Sequence, residues 1–190
     1  ADCILDEYAD GSAVNCAETL QAYVRKAHGQ IVAYKDAHPE LPSICTTVAC
    51  AVADDTGVCV AHVGDSRIYV VRDGKPTLVT RDHSLARAAV DRGEIALHQI
   101  PSHKDQNKLT RVLGGDSFMP PDCETFPPLA PGDGLILCTD GVWEHVFDAD
   151  MERLFAEEPA AAIDGFVQLI EERKSEYNDN YTAVVVKAVR

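Results

Sequence analysis

The spacing of apolar positions changes several times along the chain, and each change marks an element. From Ser12 onward, Ala13, Ala17, Leu20, Val24, Ala27, Ile31 and Tyr34 recur every three or four residues, the stripe of an amphipathic helix with Ser12 as N-cap. Pro39 disfavours helical backbone at His38 and ends that helix. The period then becomes that of strands. Residues 45–53 and 58–63 read as two strands joined by Asp54-Asp55-Thr56-Gly57, and 67–71 with 77–79 as a second pair around Arg72-Asp73-Gly74-Lys75. Residues 82–106 interrupt the pattern with a short helix carrying Leu85, Ala88 and Ala89 and then a polar, histidine-containing stretch, an excursion from the sheet. A short segment at 108–113 closes on Gly114-Gly115. The apolar run 134–138 comes next, followed by helices near 148–158 and 160–174 divided by Pro159, and by a final strand at 181–189. Hairpin-linked strands in the middle and helices at the flanks predict an α+β fold with helices packed on antiparallel sheet.

A length of 190 residues with 46% hydrophobic composition suits one domain with a sizeable core. The 31 acidic against 17 basic residues give a net charge of −14, and no Lys/Arg run would track a phosphate backbone. Nucleic acid is therefore excluded as a natural partner, and an anionic membrane surface is disfavoured. The acidity suits carboxylates gathered around metal, and suits plain solubility equally well. Seven cysteines without a C-x-x-C pair lack zinc spacing. Cys45, Cys50, Cys59 and Cys138 lie in or beside apolar runs and read as reduced core residues of a cytoplasmic protein. No apolar stretch approaches the ~18 residues of a membrane span, and no signal-peptide pattern opens the chain.

Two acidic loops stand out against this background. Thr139-Asp140-Gly141 ends the run 134–138, and Asn178-Asp179-Asn180 opens the final strand. Asp-Gly and Asp-Asn make good turns, which is one reading. The other is a metal site. Two carboxylates about 4 Å apart repel by roughly 4 kcal/mol at an effective dielectric of about 20, a cost that a hard divalent cation between them removes. The seven histidines have no nucleophile beside them and read as core or surface residues, with His83 serving the fold where the excursion begins. Arg67 and Arg111 suit pairing with buried acids or supporting a loop, and Thr46 and Thr47 suit a strand.

The order of motifs carries a resemblance. Thr46-Thr47, then Val63-Gly64-Asp65-Ser66-Arg67-Ile68-Tyr69, Thr80-Arg81-Asp82-His83-Ser84, Leu109-Thr110-Arg111-Val112-Leu113-Gly114, Leu137-Cys138-Thr139-Asp140-Gly141 and Asp179-Asn180-Tyr181-Thr182 follow one another along residues 43–190. This set resembles the PP2C (PPM) family of metal-dependent protein phosphatases, in its compact bacterial single-domain form. The resemblance implies a four-layer α/β/β/α sandwich with two central antiparallel sheets, spanning residues 1–190, with a flap at about 82–106. It implies hydrolysis of protein phosphoserine and phosphothreonine by a metal-activated water at two Mn²⁺ or Mg²⁺ ions. The implied partners are phosphorylated proteins and a bacterial Ser/Thr kinase with its targets, and the implied form is a monomer. By position, Asp140 and Asp179 match acids that hold metal, and Asp65 matches one that helps Asp140 hold a weaker third ion.

The beginning of the chain departs from the family. Ala9-Asp10-Gly11 resembles the start of Asp-Gly-Met-Gly-Gly, so that Asp10 would bridge both ions, the Gly11 carbonyl would bind one of them, and Asp2 would act through water. The phosphate-binding Arg, the Gly-Gly pair and the His of that motif have no counterpart here. Either the chain lacks these parts, or connectors before Asp2, near Glu7-Tyr8 and after Gly11 are missing from the sequence; the second is the expectation. Two other functions stay open. One is a catalytically impaired relative that binds phosphoproteins or a kinase, and the other is a hydrolase of small phosphorylated metabolites.

Overall fold

A computed structural model describes residues 17–174 and 179–189. Asp2, Asp10, Gly11 and the predicted N-cap Ser12 lie outside them. Helix α1 (Ala17–Ala37) ends where Pro39 was expected to end it. Two hairpins follow, β1 (Val48–Asp54) with β2 (Gly57–Val63), and β3 (Arg67–Arg72) with β4 (Lys75–Leu78). The excursion contains α2 (Leu85–Asp91) and a 3₁₀ turn at Leu97–Ser102. Strands β5 (Asp122–Phe126) and β6 (Gly134–Cys138), helices α3 (Asp140–Trp143), α4 (Asp148–Phe155) and α5 (Pro159–Arg173), and strand β7 (Ala183–Lys187) complete the order.

All strand pairs are antiparallel, in two sheets ordered β1-β2-β5 and β4-β3-β6-β7. The central strands are apolar throughout because both their faces are covered. Val58, Val60, Ile68, Val70 and Leu135 point between the sheets. On the opposite face of β2, Cys59 and Ala61 meet Leu20 and Tyr23 of α1. On the opposite faces of β3 and β6, Tyr69, Val71 and Ile136 pack with Met151, Phe155, Phe166 and Ile170 of the helices. Helix, sheet, sheet, helix is the layer order that the resemblance implied.

Several local expectations need correction. The first strand starts at Val48, and Thr46 before it makes only an isolated bridge to Leu113. Cys45 is exposed, in the irregular stretch between the turn and that strand. Segment 108–113 forms bridges at Leu109 and Leu113 but no strand. Strand β7 is half-exposed, with Val184 and Val186 open on one face. β5 was not expected at all. The turn of the β3–β4 hairpin is Asp73-Gly74, both at positive φ (49° and 76°), the combination a type I′ turn requires.

Candidate active site

The topology brings three acids to one end of one sheet. Arg67 of β3 pairs with Cys138 of β6, and Cys138 pairs with Ala183 of β7, so these three residues form one row. Asp65 lies two positions before that row, Asp140 two after it, and Asp179 four before it. Antiparallel pairing therefore delivers all three to the same rim, the neighbourhood predicted for Asp65, Asp140 and Asp179. The loops are stitched together: Thr139 N–H donates to the Thr182 carbonyl at 3.0 Å, and Thr182 N–H donates to Thr139 Oγ1 at 3.0 Å. Gly141 is needed because a Cβ there would stand 2.6 Å from the Asn180 carbonyl oxygen. Asp140 is not in a turn but opens the short helix α3.

Each loop acid is held by its own backbone. Gly141 N–H donates to Asp140 Oδ1 at 2.9 Å, and Asn180 N–H donates to Asp179 Oδ1 at 2.7 Å. Asp65 is buried, and its carbonyl accepts from Trp143 Nε1 at 3.0 Å. A fourth acid joins them that the sequence reading missed. Glu144 lies one helical turn after Asp140, and the spacing Asp140-x-x-x-Glu144 was its signal once a helix is known to begin at Asp140.

The electrostatics mark this cluster as under-neutralised. Burial, then the Asp140 and Asp82 charges, push the Asp65 carboxyl up to about 7. Burial, then Asp140, Asp179 and Asp65, push Glu144 up to about 7 as well. Burial also raises Asp140, with Asp179 adding to it. The Arg67 charge eases Asp65 and Glu144, but its guanidinium is bonded to Asp82. Asp65, Asp140 and Glu144 have raised proton affinity, and together with Asp179 they offer carboxylate oxygens of the kind that Mg²⁺ and Mn²⁺ favour. The residues fit a divalent cation.

A consequence follows for stability. Asp65 titrates at about 7 in the folded chain against an ordinary 3.8, so the folded state binds more protons than the unfolded state between those values. Metal-free stability therefore falls as pH rises through this window and stays low above it. Asp65→Asn is expected to stabilise the metal-free protein at pH 8 by on the order of 2 kcal/mol, roughly 5 °C in Tm, and to change little at pH 4. Thermal melts in chelator at the two pH values measure this. Equal melting temperatures at pH 8 would show that the Asp65 charge is already balanced.

A second group invites a metal reading and does not support one. One donor atom each from His62, His83 and Asp122 lie within 4.8 Å of one another. Arg111 Nη1, however, stands 2.8 Å from His83 Nε2 and 2.6 Å from Asp122 Oδ1, so a guanidinium already occupies the position a cation would take. Arg111 thus supports a loop, and Arg67 pairs with buried Asp82 at 2.9 and 2.7 Å, as the sequence suggested. His28 and His83 are buried and hydrogen-bonded, each accepting a glycine N–H at Nδ1.

The protein phosphatase 2C family model matches residues 9–157. The chain belongs to the protein phosphatase 2C family. It is 29% identical over 187 residues to the serine/threonine phosphatase stp of Listeria welshimeri, covering 96% of this chain and 73% of that protein. It is 30% identical over 171 residues to the serine/threonine protein phosphatase PstP of Mycobacterium tuberculosis, covering 90% of this chain and 32% of that protein. The crystal structure of the M. tuberculosis phosphatase superposes with a TM-score of 0.86 at 26% identity, covering all of this chain and 81% of that one. A structure of the PstP catalytic domain in complex with two manganese ions superposes at 0.85 with 27% identity, covering 98% and 78%. The superposed relatives share the paired antiparallel sheets and flanking helices; they are named serine/threonine phosphatases, and one of these structures holds two manganese ions. No described helix of this PP2C chain is long and apolar enough to cross a membrane.

Proposed function

We propose that this PP2C-family phosphatase hydrolyses phosphoserine and phosphothreonine esters in proteins, with Asp140, Asp179 and Asp65 holding divalent ions together with Asp10. The observation that carries the reading is the delivery of Asp65, Asp140 and Asp179 to one rim by a single register row of β3, β6 and β7. The family match begins at residue 9, so Asp10 and Gly11 fall inside it, which supports reading them as carboxylate and carbonyl ligands, while Asp2 lies outside it and its part, through water, rests on the resemblance alone.

Divalent ions bound at such carboxylates make water a stronger acid and draw charge from phosphoryl oxygens. The chain's own residues prepare for this. The backbone bonds at Asp140 and Asp179 fix their carboxylates against rotation. The Thr139–Thr182 stitch keeps the two loops from separating. Arg67 stacks on Trp143 at 3.8 Å, and Trp143 holds the Asp65 carbonyl, so the buried pair with Asp82 stiffens the floor of the site. Segment 82–106 is rooted at Asp82 and His83, which supports reading it as the flap that shapes substrate access. The counterpart expected for the enzyme is a bacterial Ser/Thr kinase whose phosphates it removes, and the expected active form is a monomer.

Hydrolysis of phosphoserine and phosphothreonine peptides and of sugar phosphates, with Mn²⁺ and with chelator, tests the reading. The expected result is peptide turnover that depends on metal. Metal-saturated protein that binds phosphopeptides without cleaving them would establish the impaired, regulatory alternative. Preference for sugar phosphates would move the substrate class to small metabolites.

A further inference from the structure

His83 joins the backbone beside Asp65 to Asp122 of β5, and the Gly64 N–H aimed at Nδ1 makes that nitrogen an acceptor. Its backbone N–H donates to the Gly64 carbonyl at 2.8 Å, and Gly64 N–H donates to His83 Nδ1 at 3.0 Å. A neutral ring that accepts at Nδ1 carries its proton on Nε2. Nε2–H then donates to Asp122 Oδ2 at 3.1 Å. Arg111 Nη1 also stands 2.8 Å from this nitrogen and donates to Asp122 Oδ1 at 2.6 Å, so ring and guanidinium compete for the one carboxylate that holds both. Burial chiefly lowers the His83 pKa; the Asp122 bond opposes it, and Arg111 and His62 add to it, which favours the neutral ring. His62 stacks on it at 4.7 Å between centroids and is itself fixed by the Arg81 carbonyl at 3.0 Å.

The other end of this relay is Asp65. Gly64 sits at φ +105°, and a Cβ there would come within 2.3 Å of Thr47 Cγ2. Thr47 Oγ1 in turn meets Ser66 Oγ at 2.9 Å. The residue before Asp65 is thus gripped by a ring, and the residue after it by a hydroxyl. The grip runs through His83 to Asp122 on β5, in the other sheet.

We infer that His83 is a positioning residue for the Asp65 ligand, holding the Gly64 amide through Nδ1 and anchoring it to the three-stranded sheet through Nε2–H and Asp122. The inference rests on the reading of Asp65 as a metal ligand, and the test separates the two. Asparagine places a carbonyl oxygen near Nδ1 and keeps the Gly64 bond; glutamine places an amide N–H near Nε2 and keeps only the Asp122 bond. The full chain is titrated with Mn²⁺, free Mn²⁺ being followed by electron paramagnetic resonance, and Asp65→Asn defines the binding step that belongs to Asp65.

The expected result is that H83Q weakens that step by on the order of tenfold or more while H83N retains it, at comparable melting temperatures. A wild-type titration identical to that of D65N overturns the metal-ligand reading and the inference with it. A D65N-sensitive step that H83Q leaves intact, or that both variants weaken equally, overturns the role of His83 alone. Asp122→Ala, at an exposed position, decides the matter if the ring variants do not fold. Faster amide hydrogen exchange at Gly64 and Asp65 with a weakened Mn²⁺ step supports the relay, and unchanged exchange and binding overturn it.

Discussion

Asp140→Asn is expected to lower metal-dependent phosphopeptide turnover by about 10³-fold, the rate equivalent of losing roughly 4 kcal/mol of charge stabilisation at the transition state. Asparagine has nearly the same size, and its carbonyl oxygen still accepts the Gly141 N–H that now binds Asp140 Oδ1. The fold is therefore preserved while the charge disappears. The Asp140 charge is also the neighbouring charge that most raises Glu144 and Asp65, so its loss relieves both in metal-free protein. The combination to look for is a collapse of kcat/KM at saturating Mn²⁺ with a melting temperature in chelator that is equal or higher. Turnover near that of the wild type would remove Asp140 from the catalytic set.

Arg67→Met is expected to cost about 3–5 kcal/mol of stability, or about 10 °C in Tm, because it strands a buried carboxylate. The Arg67 and Asp82 side chains are 7% and 1% exposed and share two hydrogen bonds, so water cannot replace the lost partner. Methionine keeps most of the contact with Trp143 and isolates the loss of charge. Asp82→Leu added to it should restore a good part of the loss, since an apolar pair of similar volume avoids the desolvation altogether. Urea unfolding of the single and double variants measures this. A double variant no more stable than Arg67→Met would show that the cost lies in packing and not in charge.

What was legible in the sequence follows from how completely each segment is covered. Strands β2, β3 and β6 are buried on both faces, and their unbroken apolar runs announce them. β5, with the sequence Asp-Cys-Glu-Thr-Phe between proline pairs, lies at a sheet edge and shows no such run. The two acidic loops were readable because each abuts a strong strand. Glu144 was hidden because Asp140 read as a turn, and only a helix starting there carries the chain one turn on to a fourth carboxylate. His83 was read as serving the fold, and its bond to the Gly64 amide beside Asp65 went unread. Its partner Asp122 lies 39 residues away on the unread strand, beyond what local pattern reveals. Asp10 and Gly11 rest on the resemblance and on the extent of the family match, and Asp2 on the resemblance alone.

The β3–β4 hairpin has a practical use. Its tip, Asp73-Gly74, is exposed, and the row Val71–Gly134–Lys187 beside it lies four residues, about 13 Å, along the strands from the row Arg67–Cys138–Ala183, with the acids beyond that row at the far end. A fluorophore or surface linker attached at that tip would tether the molecule with its reactive rim facing away from the support. Immobilised or labelled enzyme made in this way should bind Mn²⁺ and process large phosphoprotein substrates as the unattached chain does.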